Sequence, residues 1–274
     1  MANARPFIKW AGGKSRLIEQ YKPFLPGDFD AYHEPFLGGG ALFFHLAPRL
    51  QAEGKQAFLS DLNPELVNVY TCVRDAVEAL VEQLARHQQQ HSEHWYYEVR
   101  SQLETDPVKR AARFIYLNKT CYNGLYRENA RGLFNVPIGR YKNPRICAPE
   151  LLYPASAALQ IADISERPFT AVLERAVGDR DFVYFDPPYH PLSGTSKFTA
   201  YSRDRFATEQ QRKLLDVISQ LAKRNVRVLA SNSDCPFIRE LYKGFQVETI
   251  TAARSINSKA SKRGKITEVL LVSG

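Results

Sequence analysis

The chain has 274 residues, 44% hydrophobic and 24% charged, with a formal net charge of +8. That length suits one large α/β domain or a domain with a sizeable insertion, and the composition places it among ordinary soluble globular proteins. No run of about 18 apolar residues is present, Met1 to Trp10 lack a signal-peptide core, and Cys72, Cys121, Cys147 and Cys235 form no Cys-x-x-Cys pair, so a cytoplasmic protein with reduced thiols and no membrane span is expected.

In chain order, a strand over Ala31–Glu34 runs into Pro35-Phe36-Leu37-Gly38-Gly39-Gly40, followed by an apolar helix from Ala41 to about Leu50. Glycines at such a turn let backbone approach a ligand, with the helix N-terminus behind them. A second strand, Gln56–Ser60, leads to Asp61, where an acid can bind ribose hydroxyls in dinucleotide-type folds. The plainer reading is a core-packing turn with Asp61 as a helix cap, since Asn63-Pro64 starts a helix.

From Glu65 to about Glu150 the pattern changes. A helix is expected from Glu65 toward Gln90 and another from Pro107 to Asn118, then a stretch dense in Gly, Asn and Pro. Residues 65–150 therefore read as an inserted, mainly helical domain within a domain made of 1–64 and 151–274. His87, His91 and His94 share one face at helical spacing, but a metal site would need them convergent, with a fourth ligand and a second shell, so they read as a solvated helix end, with no metal. Residues 107–145 carry nine bases against one acid, an excess equal to the whole net charge. Aromatics are interleaved among them, which suits a surface that tracks phosphates and offers stacking groups. Lys109, Arg110, Arg140, Tyr141 and Lys142 lie in this run.

The α/β rhythm then returns. Strands are expected at Leu159–Asp163, Phe182–Phe185, Val226–Ser231, Gln246–Thr251 and Thr267–Val272, with helices near Phe169–Ala176, over Thr208–Arg224 and near Phe237–Tyr242. The loop carrying Arg254, Lys259, Lys262, Arg263 and Lys265 reads as a second phosphate contact or a solvated tip. The fold class expected is α/β: a Rossmann-like, mostly parallel sheet with a terminal antiparallel strand, plus the helical insertion.

The most informative run is Val183-Tyr184-Phe185-Asp186-Pro187-Pro188-Tyr189. By average residue usage its last four residues occur by chance in a chain of this length about once in a thousand. The prolines fix φ and remove donors, so a β-prone run ends as a stiff loop with free carbonyls. The loop presents a carboxylate, a carbonyl and an aromatic face together, which is the set an exocyclic amine on a flat nucleobase needs.

These pieces, with Phe7-Ile8-Lys9-Trp10-Ala11-Gly12-Gly13-Lys14, Tyr122-Asn123-Gly124-Leu125-Tyr126-Arg127 and Phe134-Asn135-Val136-Pro137, closely resemble the DNA adenine-N6 methyltransferases of the Dam type, α group. The likeness covers essentially the whole chain, including Phe198-Thr199-Ala200-Tyr201 and the Asn232 region. It implies S-adenosylmethionine as methyl donor, with Trp10 and Lys14 near it, Phe36, Gly38 and Gly40 around its methionine end, Asp61 on the ribose and Asp163, ending its strand, on the adenine amine. Asp186 and the Pro187 carbonyl would accept the target amine's hydrogens, with Pro188 stiffening the loop and Tyr189 stacking on the flipped base. Cytosine-carbon methylation would need a nucleophilic Cys in a Pro-Cys pair, and here the order is Cys235-Pro236.

For sequence readout the resemblance implies double-stranded GATC. Lys9 would contact the first guanine, Arg127 a guanine deeper in the site, and Leu125 and Pro137 would make apolar contacts. Tyr122 and Asn123 would take the wedge and orphan-base positions. Asn135 of the second motif, and Arg140, Tyr141 and Lys142 of the basic run, are further expected DNA contacts. A monomer is expected in solution. The same chemistry on another DNA site or other nucleic acid, or a catalytically silent DNA-binding module, stays open as an alternative. A restriction–modification, free-standing or phage role is equally compatible with the sequence.

Overall fold

The computed structural model describes residues 4–191, 206, 208–253 and 265–273. Phe198–Tyr201 and all but the last residue of the basic loop at 254–265 lie outside them. The elements run α1 (Ile18–Tyr21), β1 (Ala31–Glu34), α2 (Ala41–Ala52), β2 (Gln56–Asp61), α3 (Pro64–Asp75), α4 (Val77–Gln90), α5 (Glu93–Ser101), α6 (Pro107–Thr120), α7 (Pro149–Leu159), β3 (Ala162–Glu166), β4 (Asp181–Phe185), α8 (Thr208–Lys223), β5 (Arg227–Ser233), α9 (Pro236–Leu241), β6 (Gln246–Ala253) and β7 (Lys265–Ser273). The chain divides into two compact units. One is Met1–Gly13, Gly38–Gly54 and Asp61–Glu166; the other is Lys14–Leu37, Lys55–Ser60 and Arg167–Gly274.

The second unit carries the mostly parallel sheet of a Rossmann-like fold, with strands in the order β2-β1-β4-β5-β7-β6. β1 pairs parallel with β2 and β4, and β4 with β5, while β7 runs antiparallel to both β5 and β6. Every residue of β4 is buried, as expected for a central parallel strand covered on both faces. α8 buries Gln211, Leu214, Val217, Ile218 and Leu221 along one helical face, and Leu214 joins a core that includes Val183, Phe185, Val228 and Leu271. Strand order reverses between β1 and β4, and at such a switch point the carboxyl ends of the strands open toward a ligand. Asp186 follows β4 directly there.

The first unit is largely helical. The expected single helix over 65–90 is broken at Ala76, whose backbone leaves the helical region (φ −143°, ψ 39°). The buried positions Leu66, Val69, Val73, Val77, Leu80 and Leu84 keep one helical period across the break, so the sequence pattern hides it. α5, opened by Ser92 Oγ accepting from the Trp95 N–H at 3.1 Å, and α7, opened by Pro149, were not expected. Because α7 ends at Leu159, β3 starts at Ala162, and Asp163 is its second residue rather than its last. The expected helix near Phe169–Ala176 is a 3-10 turn over Phe169–Glu174. Cys72, Cys121, Cys147 and Cys235 are all free thiols.

Candidate active site and DNA-reading surface

The second unit gathers a charged cluster around the loop after β4. The Lys14 ammonium, almost wholly buried, lies 3.2 Å from Asp186 Oδ1 and 3.7 Å from Glu268 Oε2. It also sits 4.3 Å above the centre of the Tyr189 ring. Tyr189 donates its hydroxyl proton to Glu268 Oε2 at 2.6 Å, and burial, with the Asp186 charge next, pushes its phenol well above the ordinary range. Ser231, on β5, donates to Asp186 Oδ1 at 2.8 Å. A hydroxyl and an ammonium thus converge on the same oxygen of the Asp186 carboxylate.

Pro188 and His190 are held by side chains from outside the motif. Gln211, fully buried on α8, donates to the Pro188 carbonyl at 3.1 Å, and its Oε1 accepts from Asn232 Nδ2 at 3.0 Å. Asn232 Oδ1 in turn accepts from the His190 N–H at 3.3 Å. Phe36 stacks on Phe169 at 5.3 Å and meets Phe185 and Phe206 edge-on, so one face of the ring belongs to the core.

In the first unit, Gly38 and Gly40 both adopt positive φ (48° and 63°), which side chains rarely tolerate, and Gly40 opens α2. Asp61 Oδ2 accepts from the Gly38 N–H at 3.1 Å and Oδ1 from the Asn63 N–H at 3.0 Å. Burial raises the Asp61 carboxyl above its usual range, opposed by those backbone donors. Asn63, not Asp61, caps α3, with Pro64 at its first position. Trp10 packs beside this turn; a Cβ on Gly39 would stand 3.4 Å from the Trp10 Cβ. Its ring also faces Phe114 and Tyr126. Tyr126, which the sequence left without a role, is therefore part of the packing that holds Trp10.

Apart from Lys9, the expected DNA-reading residues occupy the segment after α6. The Lys9 backbone N–H donates to Asn118 Oδ1 at 2.8 Å and the Lys9 carbonyl accepts from Asn118 Nδ2 at 2.7 Å. The Lys9 ammonium lies 4.0 Å over the Tyr141 ring and donates to the Lys119 carbonyl at 3.1 Å. Burial, and then the nearby Lys9 charge, lower the Lys119 ammonium to about 8. Arg127 donates through Nε to Asn135 Oδ1 at 2.6 Å and through Nη2 to the Asn135 carbonyl at 3.2 Å, so Asn135 orients Arg127. Tyr122, Asn123, Arg127, Pro137, Arg140, Tyr141 and Lys142 are exposed, while Leu125 is half-buried. Beside them Asn123 and Gly124 take left-handed conformations (φ 55° and 62°).

The histidines depart from a solvated helix end. His87 stacks on Tyr116 at 4.7 Å and accepts from Trp95 Nε1 at 3.2 Å, His91 hydrogen-bonds the Tyr116 hydroxyl at 2.9 Å, and His94 alone is exposed. Trp95 and Tyr116 offer an aromatic bed that helical spacing alone does not reveal. Among the described residues, no group of His, Cys, Asp and Glu could hold a metal ion, and no helix is long and apolar enough to cross a membrane.

Sequence reasoning did not single out Ser231, Gln211 or Glu268. Gln211 carried a signal, since it stands on the apolar face of α8 three residues before Leu214. Glu268 carried another, as an acid at the head of Val269-Leu270-Leu271-Val272.

Comparison with known proteins places this geometry. The family model described as D12 class N6 adenine-specific DNA methyltransferase matches residues 10–256. The chain is 43% identical to the Type II methyltransferase M1.LlaDCHI of Lactococcus lactis subsp. cremoris, over 98% of this chain and 95% of the relative. It is 40% identical to the Type II methyltransferase M.MjaIII of Methanocaldococcus jannaschii, over 94% of this chain and 95% of the relative. It is 38% identical to the DNA adenine methylase of Escherichia coli K12, over 98% and 95% respectively. An Asp-Pro-Pro-Tyr loop at the switch point of a Rossmann-like sheet, matched over nearly all of the chain, has one reading: the protein belongs to the D12 class N6 adenine-specific DNA methyltransferase family.

Proposed function

We propose that the protein moves the methyl group of S-adenosylmethionine to the N6 amine of a flipped adenine in double-stranded GATC. One observation carries the reading. The Lys14 nitrogen donates toward Asp186 while lying over the Tyr189 ring, and a target amine on a flat base needs the same pair of groups. Asp186 and the Pro187 carbonyl accept the amine hydrogens, which frees the nitrogen lone pair, and Tyr189 stacks the base. As the new N–C bond forms, the nitrogen must shed a proton, and the Asp186 carboxylate is the acceptor beside it.

The residues fit the donor. Asp61, Asp163 and Asp186 offer carboxylate acceptors to hydroxyl, amine and ammonium groups; Trp10 and Phe36 offer flat apolar faces; and left-handed Gly38 and Gly40 admit close backbone approach. Lys14 neutralises part of the carboxylate charge. When bound, the donor supplies a methyl on a cationic sulfur that leaves as a neutral thioether, so the chemistry calls for no metal.

On this reading, residues 1–64 and 151–274 form the catalytic domain and 65–150 the target-recognition domain. Lys9 and Arg127 read guanines, Leu125 and Pro137 make apolar contacts, Tyr122 and Asn123 take the gap left by the flipped base, and Arg140, Tyr141 and Lys142 follow the backbone, with Asn135 steadying Arg127. The enzyme works as a cytoplasmic monomer. The test is transfer from labelled S-adenosylmethionine to short duplexes carrying GATC or one changed base pair. Label on GATC alone supports the reading. Label on another motif only would remove the assigned roles of Lys9 and Arg127, and no label on any duplex would remove the donor or the substrate.

A further inference from the structure

Glu268 is the most costly residue of the cluster to explain as mere scaffold. It lies near the start of β7, opposite Ser233 of β5 and Ile250 of β6. The residues after it, Val269, Leu270 and Leu271, are buried and apolar, and Glu268 itself is only 8% exposed. Strand pairing uses backbone groups, so a Val or Thr would serve β7 equally well. A carboxylate buried there is strongly unfavourable unless it is partnered. Its partners are two members of the site: the Tyr189 hydroxyl at 2.6 Å and the Lys14 ammonium at 3.7 Å, both on Oε2.

We infer that Glu268 is a positioning residue for methyl transfer. It tethers the Tyr189 ring by its hydroxyl, so that the stacking face is set before the base arrives. It also gives Lys14 a second carboxylate. The ammonium can then shift toward Glu268 when the target amine takes its place at Asp186. A ring fixed at Pro188 on one end and at Glu268 on the other loses little freedom on stacking, which is the benefit of preorganisation. The inference rests on the assignment of Asp186 and Tyr189 to the flipped adenine.

The test is a double-mutant cycle on single-turnover transfer with the full chain, using Glu268→Gln, Tyr189→Phe and the double variant. Glu268→Gln keeps the size and an acceptor but loses the charge; Tyr189→Phe keeps the ring and loses the tether. Each should slow transfer by about tenfold or more, and the double variant should be no slower than the worse single variant, because both break one link. Duplex affinity should stay within about threefold of wild type, a split between binding and chemistry that general destabilisation would not produce. A 2-aminopurine at the target position should still brighten on binding but stack less completely. Wild-type transfer rates in either single variant, or effects that multiply in the double, would overturn the inference. If Glu268→Gln proves too unstable to assay, Tyr189→Phe alone decides, since it leaves Glu268 in place. An active Asp186→Ala control would overturn the site assignment itself, a separate failure.

Discussion

Asn118 grips the backbone of Lys9 as a neighbouring strand would, one amide accepting the Lys9 N–H at 2.8 Å and donating to the Lys9 carbonyl at 2.7 Å. Asn118 is 2% exposed and projects from α6, so the placement of Lys9 is decided by a residue 109 positions away. Asn118→Leu should therefore cost about 1–3 kcal/mol, since it strands two backbone groups. It should also relax preference at the first guanine. Denaturant unfolding reads the first effect and binding to duplexes altered at each position reads the second. Full stability together with full specificity would refute the role given to this pair.

Gly124 is the second support of Lys9. Its φ of 62° disfavours any side chain, and an added Cβ would stand 2.5 Å from the Lys9 Cδ. Gly124→Ala should displace the Lys9 side chain and destabilise by about 1–2 kcal/mol. The specificity loss should mimic that of Lys9→Ala. A variant with unchanged base preference would show that Lys9 reaches its target from another position.

Asp186→Ala should abolish methyl transfer while duplex binding stays largely intact, because Asp186 is assigned to the amine and not to phosphate. Asp186→Asn, nearly the same shape, should be almost as impaired, since its amide can present a donor where the reaction needs an acceptor. Single-turnover transfer on a cognate duplex is the measurement. Near-normal rates in the alanine variant would end the mechanism.

Arg127 and Lys142 separate reading from gripping. Asn135 holds the guanidinium of Arg127, which is assigned to a guanine edge, so Arg127→Ala should cost about 1–3 kcal/mol of discrimination at one base pair. Lys142 is exposed and assigned to phosphate; Lys142→Ala should weaken all sequences alike and lower the salt slope by about one unit. Affinity across a salt series on cognate and altered duplexes distinguishes them. Uniform loss in Arg127→Ala would make it a phosphate contact.

His87 ties stability to acid. Burial lowers its imidazole from 6.5 to about 4, so between those pH values the unfolded chain binds the proton that the folded chain refuses. Stability should therefore be complete above about pH 6.5 and fall as pH drops toward 4, by a few kcal/mol in order of magnitude from this group. His87→Gln, which still offers Trp95 an acceptor, should flatten that fall. Melting temperatures at pH 7 and pH 5 would show it, and equal slopes in the two proteins would count against the assignment.

The parts that were legible in the sequence are local. Asp186-Pro187-Pro188-Tyr189, the glycine turn and the amphipathic pattern of α8 each declare themselves within a few residues, because steric limits on Pro and Gly and the helical period act at that range. Glu268 stood out only as an acid before an apolar run, and Ser231 not at all; neither role was legible. Their partnership with Tyr189 and Asp186 depends on strands brought together by backbone pairing, which leaves no mark on either sequence segment. The break at Ala76 was hidden for the opposite reason: the apolar period runs through it unchanged.

The segment assigned to DNA hangs on its backbone. Tyr122 N–H donates to the Pro137 carbonyl, Gly139 N–H to the Thr120 carbonyl and Asn135 N–H to the Arg127 carbonyl, with isolated bridges at Cys121–Ile138 and Glu128–Phe134. None of these bonds uses the exposed side chains of Tyr122, Asn123, Arg127, Pro137, Arg140 or Lys142. Two of the segment's exposed side chains do take part in the packing: the Tyr141 ring lies under the Lys9 ammonium, and Arg127 is bonded to Asn135. Selection can therefore rewrite what the segment recognises one residue at a time while the frame persists. The same freedom makes it a place to graft new target preferences without redesigning the fold.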